Sequence, residues 1–446
     1  MKGMVSMLRR KFENKLNEWL ANKKILLVDG ARQVGKTYII EAFCKQKFVN
    51  FVEINLANNK EAIVALEHAR NVKDFLFVIS SFSKVSLIPG QTVIFIDEIQ
   101  LAPQIDFRTL AKPLCQNGQF RFIFSGSLLG VSEFNTALEP MGFLYSETMY
   151  PLDFEEFLWA NGVQDEVYDK VRECFYEKKE VPPFIHTQLL DYFYNYLLVG
   201  GMPEAVDSYI KNNDLKKINL IHRAIEQHYV ADITKYAPLE KRPLIKMAYE
   251  VLPSEISSKS KRFTLSLIGN QHKLTKVDND FFWLSEAGVA IPVYTVSEPK
   301  IPLLLSRNSR LLKLFASDVG MLTYRLMDTE VQRKISAHEK DINYGAIFEN
   351  AVAQELLTHN FKEIYYFSSK KQGEVDFLIT YKGNVLPLEI KSGKDYQRHV
   401  ALDNLLANEE YEIHEAYIFS NSNIKVVGNK VYYPIYMIGC LQRDCE

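Results

Sequence analysis

The stretch ILLVDGARQVGKT, from Ile25 to Thr37, decides the fold of the first third of the chain. It opens with a short apolar run of the kind that builds a buried parallel strand. Residues 30–37 then fit G-x-x-x-x-G-K-[ST], and YIIEAFCK follows with the apolar spacing of a helix. In this pattern glycines let backbone N–H groups wrap phosphates, and the helix N-terminus adds a positive dipole. With these flanks we predict a nucleotide-binding loop; the alternative is a chance match in a turn.

Each part of this loop has a chemical task. Lys36 would reach the β- and γ-phosphates, and Thr37 would offer its hydroxyl to Mg²⁺. The residues predicted to hold the nucleotide are Gly30, Ala31, Arg32, Gln33, Val34, Gly35, Lys36 and Thr37.

Two later strands end in polar residues. TVIFIDE, from Thr92 to Glu98, is an apolar strand ending in Asp-Glu. Asp97 would orient Mg²⁺ through its water shell, and Glu98 would polarise the attacking water; the alternative is an acidic strand cap. RFIFSGS ends in hydroxyls, so Ser125 or Ser127 would either sense the γ-phosphate or simply form a turn.

Composition sets the limits for the rest of the chain. Its 446 residues are 47% hydrophobic and 24% charged, which supports a large core and two to four domains. Five scattered cysteines without a CxxC pair argue against structural zinc and a disulfide framework. No apolar run reaches membrane-spanning length, and the N-terminus does not read as a signal peptide, so we expect a soluble cytoplasmic protein without a membrane partner. The net charge of −2 leaves only a local basic face for nucleic acid.

Several motifs together resemble one family. GARQVGKT, VIFIDE, FSGS, PLDFEEF (Pro151 to Phe157) and VGGMPEAV (Val199 to Val206) are similar to prokaryotic AAA-type ATPases fused to a C-terminal region of unassigned function. The resemblance runs along essentially the whole chain. It implies that Pro203 lies in a lid element near adenine, whereas the residues alone predict only a helix-breaking turn.

The sequence departs from this family at one position. Many relatives carry a Gly-Arg dipeptide before the PL-x-F segment, where Met141-Gly142-Phe143 stands here. An arginine finger contributes much of phosphoryl-transfer catalysis, so hydrolysis would be slow or would use another arginine. Arg32, inside the loop, is the weaker candidate and is expected to face solvent.

The middle of the chain reads as helices followed by a hairpin. Residues 163–230 have helical spacing that suits a lid over the nucleotide. LIKMAYEVLPSEI, FTLSLIGNQHKL and DNDFFWLSEAGVAIPVYTV then read as a winged helix, and residues 235–276 hold nine Lys or Arg against three Glu. Such a module contacts DNA phosphates or docks proteins. The residues predicted to contact DNA are Lys259, Lys261, Arg262 and Lys273.

The last quarter combines a helix with three strands. A predicted helix carries Glu349, and the strands IYYFSS, EVDFLIT and NVLPLEIKS follow it. Positions two apart in a strand share a face, so Glu389 and Lys391 point the same way. Carboxylates that converge repel one another unless a divalent cation lies between them. The cation, Mg²⁺ or Mn²⁺ at Asp376 and Glu389, would activate a water for phosphodiester attack.

This order resembles the PD-(D/E)xK nucleases, in particular the archaeal Holliday-junction resolvase type with its helical glutamate. The resemblance implies catalytic roles for Glu349, Asp376, Glu389 and Lys391. The alternative is two ordinary strands with charged faces, because E-x-K pairs are common on exposed sheets, and such folds also persist as binding modules.

The predicted fold class is α/β: a P-loop AAA-type ATPase (1–155), a helical lid (156–230), a winged helix (231–332) and a PD-(D/E)xK-like α/β domain (333–446). The expected ligands are ATP and Mg²⁺, with DNA as a further partner and self-association left open. Two functions fit this architecture. One is an ATP-driven DNA-processing protein, and the other is a slow ATPase switch of the signal-transduction type whose C-terminal region holds protein partners.

Overall fold

The computed structural model describes residues 8–127, 142–257, 283–339, 344–393 and 397–443. The chain forms two compact units. The N-terminal unit comprises residues 10–150 with 286–288, and the C-terminal unit comprises residues 1–9, 151–285 and 289–446. No helix in the described ranges has the length and apolar character needed to cross a membrane.

The N-terminal unit contains a five-stranded parallel sheet. Its strands are β1 (Ile25–Asp29), β2 (Asn50–Asn55), β3 (Thr92–Asp97), β4 (Arg121–Ser125) and β5 (Leu144–Thr148), in the order β2-β3-β4-β1-β5. Its helices are α1 (Phe12–Ala21), α2 (Lys36–Lys47), α3 (Lys60–Glu67), α4 (Val72–Phe82) and α5 (Phe107–Asn117). Strand β3 is buried at every position, as expected for a central parallel strand covered on both faces. The strand order brings the carboxyl ends of β1, β3 and β4 to one edge, where ligands bind in open α/β sheets.

The C-terminal unit is helical in its first part, as predicted for residues 163–230. The helices are α6 (Phe154–Ala160), α7 (Asp165–Glu177), α8 (Pro183–Val199), α9 (Pro203–Asn212), α10 (Leu215–Tyr236) and α11 (Arg242–Ser257). Further along the chain come α12 (Val319–Leu326), α13 (Thr329–Ser336), α14 (Gly345–Thr358) and α15 (Val400–Leu406).

The same unit contains an eight-stranded mixed sheet, in the order β12-β13-β11-β10-β9-β8-β6-β7. Its strands are β6 (Ala290–Val296), β7 (Arg307–Ala316), β8 (Tyr365–Ser369), β9 (Gly373–Tyr381), β10 (Asn384–Ile390), β11 (Ala416–Ser420), β12 (Lys425–Val427) and β13 (Lys430–Pro434). Strands β9 and β10 pair antiparallel across a tight turn, so the predicted strand, turn and strand are confirmed. Helix α14, β8, β9 and β10 follow one another in the predicted order.

The described residues do not show the predicted winged helix, of which residues 258–282 lie outside the described ranges. Strands β6 and β7 form a hairpin, but β6 also pairs in parallel with β8 through Tyr294 and Tyr365. The hairpin of β6 and β7 therefore extends the C-terminal sheet, where most of the β6 residues are buried. The predicted domain boundary at residue 332 lies inside the C-terminal unit. The sheet of this unit contains strands that precede residue 332 and strands that follow it.

Two family motifs explain how the helices begin. In PLDFEEF, Asp153 caps α6 by accepting from the Glu156 N–H at 2.9 Å, and the Glu156 carboxylate accepts from the Asp153 N–H at 3.2 Å. This is a capping box. In VGGMPEAV, Pro203 is the first residue of α9. A backbone N–H at this position would have no partner within the helix, so proline removes no helical hydrogen bond.

Candidate functional site

The phosphate-binding loop requires unusual backbone angles. Gly35 has φ +95° at the start of α2, and Gln33 has φ +65°. Gly30 has φ +138°, and a Cβ there would lie 2.2 Å from the carbonyl oxygen of Met149. Glycine is therefore required at position 30 for both conformation and space.

Lys36 lies inside this loop. Its Nζ donates to the carbonyl oxygens of Gly30 and Ala31 at 2.8 and 2.9 Å. Burial lowers the pKa of Lys36, while the charges of Glu98 and Asp97 oppose that shift. A phosphate beside Nζ would favour the charged ammonium in the same way, which fits the predicted role.

Asp97 is the centre of a polar cluster at the strand ends. One carboxylate oxygen accepts from Thr37 Oγ1 at 2.7 Å and from Asn55 Nδ2 at 3.2 Å, and the other accepts from the Ser125 hydroxyl. A hydroxyl beside a carboxylate suits the hard oxygen chemistry of Mg²⁺, so Thr37 and Asp97 fit the predicted ion. Sequence reasoning missed Asn55, although it ends β2 as Asp97 ends β3.

Glu98 is held beside this cluster in the left-handed conformation, with φ +59°. Its carboxylate accepts from Gln100 Nε2, and Gln100 Oε1 accepts from the Ser127 N–H at 3.3 Å. The buried Ser127 hydroxyl has no hydrogen-bond partner among the described residues, whereas that of Ser125 is engaged with Asp97. Of the two serines, Ser127 is thus the one with a hydroxyl to offer a phosphate. Gln100, two residues beyond Glu98, was also missed.

Two arginines lie in or beside the loop. The buried Arg10 donates to the carbonyl oxygens of Val34 at 3.0 Å and Tyr150 at 2.7 Å. Sequence reasoning missed Arg10 because contacts this distant leave no local pattern. Arg32 is half-buried rather than solvent-facing. Burial is the largest cause that lowers the pKa of Lys36. The charge of Arg32 lowers this pKa further, and nearby carboxylates oppose both effects.

Other predicted residues lie elsewhere. Pro203 belongs to the C-terminal unit, and its adenine role stays a prediction. Residues Lys259, Lys261, Arg262 and Lys273 lie outside the described ranges, as does Met141 of the tripeptide at the family's Gly-Arg position.

A second polar cluster, which we call the acidic site, lies in the C-terminal unit. It comprises Lys313, Glu349, Glu374, Asp376, Glu389 and Lys391. Asp376 Oδ2 accepts from the N–H of Ile390 at 2.9 Å, which joins β9 to the end of β10. Lys391 Nζ donates to Glu389 Oε1 at 2.7 Å, so the two share a face as predicted.

Glu389 is the most perturbed group of the acidic site. Its side chain is buried, and its Oε2 has no hydrogen-bond partner among the described residues. Burial, then the charges of Asp376 and Glu349, raise its pKa to about 8 against the opposing effect of Lys391. A cation between Asp376 and Glu389 would relieve this repulsion.

Lys313 is the residue of the acidic site that sequence reasoning missed. Its side chain is 1% exposed, and its Nζ lies 2.8 Å from Glu374 Oε1 and 4.0 Å from Glu349 Oε2. Burial lowers its pKa, but Glu349, Asp376 and Glu374 outweigh burial and raise it overall. The available indication was a single charge within the apolar run LLKLFA.

The fit of a metal ion to the acidic site rests on two carboxylates. Across the described residues no group of three or more His, Cys, Asp or Glu side chains is arranged to hold a metal ion. Mg²⁺ commonly uses only one or two protein carboxylates together with substrate phosphates and water. Asp376 and the unpartnered oxygen of Glu389 fit that smaller donor set.

The pKa of Glu389 predicts a pH effect on stability. The pKa of Glu389 in the folded protein lies above its ordinary value of 4.5. The contribution of Glu389 to folding stability is therefore fully present below pH 4.5 and is lost as the pH rises through about 8. In the presence of a chelator, we expect the free energy of unfolding of Glu389→Gln to rise relative to that of the parent as the pH increases from 5 to 9. The expected change in this difference is more than about 1.4 kcal/mol. Urea unfolding at several pH values measures this. Glu410→Gln changes an exposed glutamate and should show the same dependence of unfolding free energy on pH as the parent. The same dependence in Glu389→Gln would refute the effect.

The fold and geometry of the N-terminal unit define a P-loop nucleotide-binding module. Residues 22–158 match a family described as an AAA domain. Residues 190–332 and 344–438 match two families described only as domains of unknown function, DUF8612 and DUF4143. The AAA match supports an AAA-type P-loop ATPase domain that binds ATP.

Comparison with curated proteins gives no match. Among solved structures, the chain is similar to a Walker-type ATPase of Pyrococcus abyssi, at 15% identity and a TM-score of 0.45, over 73% of this chain and 97% of that one. It is also similar to the ORC1 protein of Aeropyrum pernix in complex with DNA, at 11% identity and a TM-score of 0.30, over 76% and 95%. A third similar structure is Drosophila ORC bound to DNA, at 14% identity and a TM-score of 0.28, over 76% and 98%.

Proposed function

We propose that the protein hydrolyses ATP in its N-terminal unit and cleaves DNA, in a metal-dependent reaction, at the acidic site of its C-terminal unit. The observation that carries the second part is the geometry around Glu389. A buried carboxylate oxygen without a hydrogen bond to any described residue lies in a site with Asp376 and Lys391 at the end of a β-hairpin. Buried, unsatisfied carboxylates are costly, and they concentrate at functional sites.

At the nucleotide site each residue has a defined task. Lys36 would contact the β- and γ-phosphates from within the loop, and Thr37 and Asp97 would hold Mg²⁺. Glu98 would orient the attacking water, with its carboxylate held by Gln100. The bound cation would neutralise charge that develops on the phosphates.

At the acidic site Asp376 and Glu389 would hold Mg²⁺ or Mn²⁺. The bound cation would activate a water and polarise the attacked phosphate. The hydrogen bond from the Ile390 N–H fixes the Asp376 carboxylate, so its free oxygen has a defined direction. Lys391 is partly exposed beside Glu389, where it would stabilise negative charge on the phosphate.

DNA cleavage tests this proposal directly. Branched and linear DNA are incubated with the full chain and Mn²⁺ or Mg²⁺, with and without ATP. We expect Asp376→Asn to lower the cleavage rate about 100-fold or more, because it removes one metal ligand and its charge. Lys36→Ala should abolish any ATP dependence while leaving the metal-dependent chemistry.

The matched control is Asp169→Asn, which alters an exposed aspartate on α7 of the same unit. It should cleave at the parent rate. No cleavage by the parent with any DNA, alongside normal ATP binding, would reject the nuclease proposal. Equal cleavage by Asp376→Asn and the parent would assign the activity to a contaminant.

The second candidate function is a slow ATPase switch whose C-terminal unit holds protein partners. Two observations favour it. Lys313 pairs with Glu349, and no described group of three metal-ligating side chains is present. The absence of the Gly-Arg dipeptide before PL-x-F also favours slow hydrolysis. Rejection of cleavage in the assay above would leave this function as the leading one.

A further inference from the structure

We propose that the Lys313 ammonium takes the place of a second metal ion in the acidic site, so that this site binds a single divalent cation at Asp376 and Glu389. The inference rests on the proposed metal-dependent function of the same site. It assigns Lys313 and Glu349 a positioning role as an internal ion pair.

The first support is the burial of this ion pair. Lys313 and Glu349 are 1% and 2% exposed, and lysine and glutamate are almost never buried to this degree unless they are paired. The Lys313 ammonium also lies 4.9 Å from the ring centroid of Tyr366. Lys313 is therefore held in the site by its contacts and is not a surface side chain that has turned inward.

The second support is position. Carboxylates that lie close together repel one another unless a cation lies beside them. Here Lys313 Nζ lies 4.0 Å from Glu349 Oε2 and 2.8 Å from Glu374 Oε1. The Lys313 ammonium therefore already supplies a cation beside the carboxylates of Glu349 and Glu374.

The third support is charge. The acidic site contains four carboxylates, from Glu349, Glu374, Asp376 and Glu389, and two ammonium groups, from Lys313 and Lys391. With every group ionised the excess is two negative charges, which one divalent cation balances. Lys313 leaves one negative charge on the side of Glu349 and Glu374, and Lys391 leaves one on the side of Asp376 and Glu389.

The test counts metal ions, with a readout independent of cleavage. Mn²⁺ is titrated into the full chain without nucleotide and followed by calorimetry and by the electron paramagnetic resonance of free Mn²⁺. Ions that disappear in an Asp376→Asn, Glu389→Gln double variant are assigned to the acidic site. We expect one such ion in the parent, one in Lys313→Arg and two in Lys313→Met, which keeps the stem length but removes the charge.

A second variant covers the case in which Lys313→Met does not fold, as judged by near-ultraviolet circular dichroism. Glu349→Gln should retain one ion with a Kd within about threefold of the parent, because Glu349 pairs with lysine and not with metal. Two ions in the parent, one in a folded Lys313→Met, or more than tenfold weaker binding in Glu349→Gln would overturn the inference. Loss of all binding at the acidic site in the parent would instead reject the metal-dependent function itself, and the inference with it.

Discussion

Replacing Lys36 with alanine is expected to weaken ATP binding about 100-fold or more, equivalent to about 2.7 kcal/mol. Nζ of Lys36 is held inside the loop by the carbonyl oxygens of Gly30 and Ala31, where it would meet the phosphate oxygens of a bound nucleotide. Removing it leaves the phosphates without their buried cation. Titration of a fluorescent ATP analogue with Mg²⁺ measures the Kd.

Two controls separate binding from folding and from hydrolysis. Lys47→Ala alters an exposed lysine at the far end of the same helix and should bind like the parent. Glu98→Gln should bind ATP normally but lose hydrolysis, because Glu98 is assigned to the water rather than to the phosphates. Binding by Lys36→Ala within threefold of the parent would contradict the assigned role of the loop.

Gly201→Ala is expected to destabilise the C-terminal unit by about 2–4 kcal/mol. A Cβ at position 201 would lie 2.0 Å from the carbonyl oxygen of Leu152. The Gly201 N–H donates to Asp318 Oδ2 at 2.6 Å, and its carbonyl oxygen accepts from the Leu152 N–H at 2.7 Å. The backbone is thus held on both sides and cannot move away from the added methyl group.

Urea unfolding of the full chain, followed by fluorescence and circular dichroism, measures this change. Gly393→Ala is the matched control, because a Cβ there would meet no atom of the described residues within 4 Å. It should leave the unfolding midpoint unchanged. A midpoint for Gly201→Ala equal to that of Gly393→Ala would show that the segment yields more easily than its contacts indicate.

The sequence predicts the P-loop fold because its pattern is local. The loop from Gly30 to Thr37 carries its own glycines, lysine and helix start. Asp97 could be placed beside it because apolar strands of a parallel sheet end at the same edge. Asn55, Gln100 and Arg10 could not be predicted, since each contacts the site through a fold that brings distant residues together.

The hairpin of β6 and β7 shows the opposite case. The apolar end of DNDFFWLSEAGVAIPVYTV correctly predicts a strand, but such a segment suits a wing or an edge of a larger sheet. Only the pairing of Tyr294 with Tyr365 distinguishes them, and that register joins residues far apart in sequence. The apolar pattern of a strand predicts which of its faces is buried, but it does not predict which strand it pairs with.

By itself, the sequence determined the P-loop, the parallel strands that end in Asp97 and Ser125, and the order of helix and strands that carries Glu349, Asp376, Glu389 and Lys391. These follow from residue type and spacing, which act over a few positions. Only the tertiary structure decided that Lys313 is buried beside Glu349 and that Glu389 has an unpartnered oxygen. Burial and ion pairing depend on neighbours brought together by folding, so no local pattern specifies them.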